Sequence, residues 1–151
     1  MKKISELHVH IHQKLTSDLT LVEPGHMTEL QESCSRAEVE RVAVFANSES
    51  VNDISDNGLS VGHFCCHSIG TETRHLRIIA QKGGQFSLLS RNEFAPLHLA
   101  AFNGDVEKAK IIIENIPKEA LNQPGFGDVT PLHIAVIQVL TDCPGKKYHI
   151  F

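Results

Sequence analysis

The sequence predicts an all-α repeat solenoid of stacked helix-turn-helix units, and three observations carry that prediction. The segment Ala95-Pro96-Leu97-His98-Leu99-Ala100-Ala101 recurs as Thr130-Pro131-Leu132-His133-Ile134-Ala135-Val136, and in weaker form as Ser60-Val61-Gly62-His63-Phe64-Cys65-Cys66, which puts His63, His98 and His133 35 residues apart each time. A second marker keeps the same period: Val51-Asn52 and Leu121-Asn122 stand at one distance before Ser60 and Thr130, with Phe86-Ser87 in that place before Ala95. Upstream, Thr28 to Cys34 followed by Glu38 to Ala46 aligns with Ala95 to Ala101 followed by Asp105 to Ile113. A fixed period of this length is the signature of a repeat array.

Each unit reads as a first helix, a short break, a second helix and a long turn. Thr28, Ser60 and Thr130 suit the N-cap, where a hydroxyl accepts from an orphan amide, and Pro96 and Pro131 suit the first helical position, where no amide partner is lost. Ala95 lacks that hydroxyl, at a typical cost of about 1 kcal/mol. Gly70 and Gly104 supply the break, and Glu38 with Glu40, or Asp105 with Glu107, sets negative charge at the start of the second helix. Val39, Val42, Phe45 and Ala46, like Val106, Ala109, Ile112 and Ile113, then recur at helical spacing on one face. Gly83-Gly84 and Gln123-Pro124-Gly125-Phe126-Gly127 read as turns. A pair of short helices cannot bury its own stripe, so stacking about three or more units makes the core. The units fall at about 27–52, 53–86 and 87–121, with an incomplete fourth at 122–138.

The flanks follow no such pattern. Residues 1–26 read as an N-terminal cap or extension, either a short strand or a segment without fixed structure, and Leu15, Leu19, Leu21 and Val22 are positioned to cover the open end of the first unit. In residues 139–151, Pro144-Gly145 stops any helix, so an irregular tail is expected.

Composition narrows the function classes. The chain has 151 residues, 41% hydrophobic and 21% charged, which is ordinary for one folded domain. At this length it can bury roughly 70% of the surface that the unfolded chain exposes. The net charge of −4, from 14 basic against 18 acidic residues, argues against nucleic acid as a partner. Cys34, Cys65, Cys66 and Cys143 form no Cys-x-x-Cys pair and no disulfide framework, which suits a reducing cytoplasm. No stretch has signal-peptide or membrane-spanning character, so no membrane association is expected.

At the Pro-Leu-His segments the sequence resembles the ankyrin repeat family, whose repeat has a Thr-Pro-Leu-His-x-Ala-Ala heart and a Gly before the second helix. Pro96, Leu97, His98, Ala100, Ala101 and Gly104 match that pattern, as do Thr130, Pro131, Leu132 and His133; residues 86–138 are closest and 27–85 degenerate. In the second unit Val61-Gly62 replaces Pro-Leu, and an extra residue before Gly70 implies a frayed or shifted first helix. The resemblance implies β-hairpin-like turns, a concave surface of turn tips and first helices, and a non-catalytic, monomeric protein-interaction module without cofactor. The tips fall near residues 53–59, 88–94 and 123–129. Interface anchors are enriched in aromatics and Arg, which nominates Arg91, Asn92, Glu93, Phe94, Phe102, Asn103, Phe126 and Asp128 as partner-binding. The partner is another protein, with delivery of a bacterial effector into a host cytosol as a variant of the cytoplasmic reading. The alternative is a truncated or scaffold portion of a larger multidomain protein whose catalytic or targeting part lies elsewhere.

Other chemistry is outweighed. His63, His98 and His133 occupy the family's His slot, where the ring hydrogen-bonds backbone between repeats. His63-Phe64-Cys65-Cys66-His67 carries two imidazoles at i and i+4 and two soft ligands, yet Cys65 and Cys66 stand where Ala100 and Ala101 stand, as small hydrophobes. Leu7-His8-Val9-His10-Ile11-His12 alternates as a strand would, with three imidazoles on one face, and is similar to the metal-binding strand of amidohydrolase-type barrels. Such barrels need about 250 residues. Glu29 with Glu32 and Glu38 with Glu40 read as dipole complements. No phosphate loop or nucleophile elbow is present, so neither catalytic nor metal-ligating residues are nominated.

Overall fold

A computed structural model describes residues 2–20, 27–55, 58–68 and 70–141. The order is α1 (Lys2–Thr20), α2 (Glu29–Ser35), α3 (Val39–Phe45), α4 (Val61–His67), α5 (Arg74–Gln81), α6 (Pro96–Asn103), α7 (Val106–Glu114) and α8 (Pro131–Thr141), with short 3-10 turns between. Among the described residues no strand forms, and the extended backbone is limited to one antiparallel bridge between Ile54 and Ser60. The first helices of successive units meet one another, α2 with α4, α4 with α6 and α6 with α8, while the second helices meet as α3 with α5 and α5 with α7. The core runs along these contacts through Leu30, Val42, Phe64, Leu76, Ile79, Leu99, Ile111, Ile112 and Ile134.

The capping chemistry repeats with the period. Thr28 and Gln31 form a reciprocal capping box: the Gln31 amide donates to Thr28 Oγ1 at 3.1 Å and the Thr28 amide to Gln31 Oε1 at 3.0 Å. In the later units an imidazole takes the place of that glutamine. The amides of Ser60, Ala95 and Thr130 donate to Nδ1 of His63, His98 and His133 at 3.0, 3.1 and 3.0 Å. Ala95, without a hydroxyl, keeps this half of the box.

The departures in the second unit have steric reasons. Ser60 caps α4, which runs intact from Val61 to His67, so the expected fraying does not occur. A Cβ at Gly62 would stand 2.8 Å from Phe86 Cδ1 and 3.1 Å from Pro96 Cγ. The glycine makes room for the Phe86 ring, which is buried where the other units carry a smaller aliphatic residue. Gly104 closes α6 in the left-handed region at φ 66°, as the break requires.

Three expectations change. Residues 2–20 form a helix, neither a strand nor an unstructured arm, because Ile11 and Leu15 at i and i+4 find a surface that buries both. α8 continues through Val139, Leu140 and Thr141, three residues past the expected end of the repeat region at 138. Leu132 is 65% exposed, unlike its counterpart Leu97 at 6%, because no further unit among the described residues covers its side of α8. The expectations for Leu21, Val22 and the tail beyond Thr141, with Cys143 and Pro144-Gly145, and for the Leu19 side chain, lie outside the described residues.

Candidate partner-binding face

The tips are copies of one turn. Ser55, Ser90 and Gly125 each donate their amide to the carbonyl four residues on, at Leu59, Phe94 and Val129, at 2.9, 2.8 and 2.7 Å. Gly58, Glu93 and Asp128 donate back to Ser55, Ser90 and Gly125, at 2.9, 2.9 and 3.0 Å. Those same three residues have positive φ, 76°, 65° and 61°. A hairpin-like closure that must turn left-handed at its fourth position explains the glycine in one tip; in the others Glu93 and Asp128 carry that strain, and both are exposed.

The imidazoles tie each unit to the next tip. With Nδ1 accepting from the cap, Nε2–H of His63 donates to the Phe94 carbonyl at 2.6 Å and that of His98 to the Val129 carbonyl at 2.9 Å. Gln31 imitates this, donating Nε2–H to the Asp53 carbonyl at 3.3 Å. Both imidazoles are held neutral by burial, which lowers His98 and pushes His63 down to about 4 against its bond to Phe94. His133 keeps its cap bond, and among the described residues no carbonyl meets its Nε2. The Phe126 amide donates to the Glu93 carbonyl at 3.0 Å, and a Cβ at Gly125 would lie 2.4 Å from that carbonyl oxygen, so only glycine lets the two tips approach this closely.

The nominated residues divide by exposure. Arg91, Glu93 and Asp128 project from the tips as exposed side chains. Phe94 and Phe102 are fully buried, which overturns the expectation of exposed anchors. Phe94 packs edge-on to His98 with centroids 5.9 Å apart and lies 6.1 Å from Phe126. Asn103 donates Nδ2–H to the Cys66 carbonyl at 3.4 Å, a contact between units.

The cover over Phe102 and Phe126 is α1. His8 and His12 place their rings 5.5 and 5.8 Å from Phe102, His10 stacks on Phe126 at 5.1 Å, and Lys14 Nζ sits 5.7 Å from that ring. Asn92 Nδ2–H donates to the Lys14 carbonyl at 3.1 Å. Burial, and after it the neighbouring His12, lowers the His8 pKa, while the Gln138 side chain acts in the opposite direction. The three histidines thus lie around a helix rather than on one strand face. The signal for this was in the sequence, since His8, Ile11, His12 and Leu15 follow i, i+3, i+4 and i+7, but the stronger period-2 alternation of Leu7 to His12 masked it.

A second cluster was not anticipated. Lys108 is completely buried, and its Nζ–H donates to the carbonyl and hydroxyl oxygens of Ser68 at 2.6 and 2.8 Å, with Asp105 Oδ2 at 3.5 Å. The ammonium thereby satisfies the end of the preceding unit's first helix. Burial, with Lys108 adding to it, lowers the pKa of His67 and His75. Burial also raises both neighbouring thiols, Cys66 to about 12, so neither is a ready thiolate. Among the described residues no three His, Cys, Asp or Glu side chains converge as metal ligands, and no helix is long and apolar enough to cross a membrane.

The class these features define is an all-helical array of short helix pairs, with hairpin-like tips and inter-unit hydrogen bonds repeated in register. No protein-family model matches the chain. It is similar to the serine/threonine-protein kinase TNNI3K of Homo sapiens, 32% identical over 111 residues, which are 70% of this chain and 12% of that protein. The Mus musculus protein of the same name is 33% identical over 131 residues, 83% of this chain and 14% of its own length. That of Pongo abelii is 32% identical over 111 residues, 70% of this chain and 16% of its own. The chain therefore spans only 12% to 16% of the length of these relatives.

Proposed function

We propose that the chain is an ankyrin-type repeat solenoid acting as a non-catalytic protein-binding module. The observation that carries this reading is the tip geometry: one hydrogen-bonded turn, set out three times and joined by imidazole bridges, projects charged side chains from a packed scaffold. Side chains on loops fixed by a rigid framework are suited to recognition. Arg91, Glu93 and Asp128 are then the polar contacts made with a protein partner, in a cytoplasmic setting that the free, buried Cys34, Cys65 and Cys66 favour.

A second reading makes the array the positioning part of a longer multidomain protein. The lengths of the relatives favour it, since each is several times longer than the matched segment and is named as a kinase.

The test is capture from cytosolic extract by Arg91→Glu with Asp128→Lys, compared quantitatively with the unaltered chain. Proteins enriched by the unaltered chain should be lost, while helical circular dichroism stays the same. Equal enrichment by both would remove the tips from the binding account.

A further inference from the structure

The position of α1 in the stack is unusual for a cap. It precedes the first unit in the chain, and a cap for that unit would cover α2. Instead α1 packs on α8 and reaches Phe102 at the end of α6, Asn92 on one tip and Phe126 on the next. It stands outside the 35-residue period, and it crosses the side where the repeats present their tips and first helices.

We propose that this face is a docking site for a helix, that α1 is its intramolecular occupant, and that the partner recognised there is an amphipathic helix carrying an aliphatic pair four residues apart with flat or cationic side chains beside it. The inference rests on the protein-binding reading above and names the chemical class of its partner.

The contacts describe the ligand. Among the described side chains of α1, Ile11 and Leu15 are buried completely, and they fix the four-residue spacing. Around them, imidazoles lie against Phe102 and an imidazole with a lysine ammonium against Phe126, contacts that ask for planarity or positive charge rather than one residue type. The Asn92 bond goes to backbone, the Lys14 carbonyl, and is independent of side-chain identity. Any helix with the same stripe meets these demands. Val9, on the opposite side of the helix, remains 52% exposed, so α1 is held along one stripe and leaves its other side in water. An occupant tethered in the same chain competes at high effective concentration, which makes displacement of α1 the cost of binding in trans.

The experiment uses a fluorescein-labelled peptide of residues 2–20 and fluorescence polarisation against two full-length proteins, the unaltered chain and Ile11→Asp with Leu15→Asp. The expected result is saturable binding to the variant at least tenfold tighter than to the unaltered chain, weakened again by adding Phe126→Ala to the variant. A peptide carrying the two aspartates should bind neither. Equal affinity for both proteins, or no binding to a variant that keeps its cooperative urea transition, overturns the proposal. Loss of that transition also overturns it, since α1 would then be a permanent part of the core; the milder full-length His8→Ala, His12→Ala, Lys14→Ala protein checks this by showing whether weakened docking raises peptide affinity without lost helix content. If the peptide fails while Arg91→Glu with Asp128→Lys still abolishes partner capture, the helix-docking inference falls and the protein-binding reading stands. Capture that survives the tip variant and Phe126→Ala removes that reading itself.

Discussion

His63 shows how one side chain connects two units. Its ring is out of water, with Nδ1 accepting from the Ser60 cap and Nε2–H donating to Phe94 in the next tip, so the neutral tautomer satisfies both nitrogens and a second proton on Nδ1 would face the Ser60 amide N–H. The folded-state pKa of about 4 lies below the ordinary 6.5. The unfolded chain therefore binds the extra proton first, and stability present above pH 6.5 is lost as pH falls toward 4, by about 3 kcal/mol from this group. Urea midpoints at several pH values should fall through that window, and less steeply in His63→Gln; identical slopes would contradict a neutral, doubly bonded imidazole. Sequence reasoning reached this role through the repeated histidine slot. It did not reach Lys108, because a lysine on an amphipathic helix reads as solvated, and only the fold brings the Ser68 carbonyl over its ammonium.

The elements were legible wherever local chemistry repeated. Cap hydroxyls, Pro at the first helical position and Gly104 marked α6 and α8 closely, and the second helices followed from their apolar stripes. What escaped was set by neighbours distant in sequence. α1 is amphipathic only in relation to α8, Phe102 and Phe126, and Leu132 is exposed because none of the described residues packs over its side of α8. Phe94 and Phe102 escaped for the same reason, being surface-like by position in the repeat and buried by what lies across them. These elements give unequal costs for one kind of substitution. Leu97→Ala should cost about 2 to 5 kcal/mol, whereas Leu132→Ala should change stability by no more than about 0.5 kcal/mol. Equilibrium urea unfolding measures both, and equal losses would mean that the two leucines share one environment.

Taken whole, the molecule joins its helix pairs in two ways. Apolar contacts run through α2, α4, α6 and α8 and through α3, α5 and α7, while the imidazole and tip bonds hold register between units. These contacts join neighbouring helix pairs, and α1 adds a long-range tie from the start of the chain to α8, Phe102 and the tips at Asn92 and Phe126. The recurrence of the caps at Ser60, Ala95 and Thr130 could be read from period alone, but that tie could not, since nothing in a repeat pattern says where a flanking helix will lie. The proposed binding face is covered wherever α1 is docked. Nuclear Overhauser contacts between aromatic ring protons test this most directly. Cross-peaks are expected from His8 and His12 to Phe102 and from His10 to Phe126 in the native chain. A well-dispersed, helical spectrum with all of these cross-peaks absent would contradict the docking of α1.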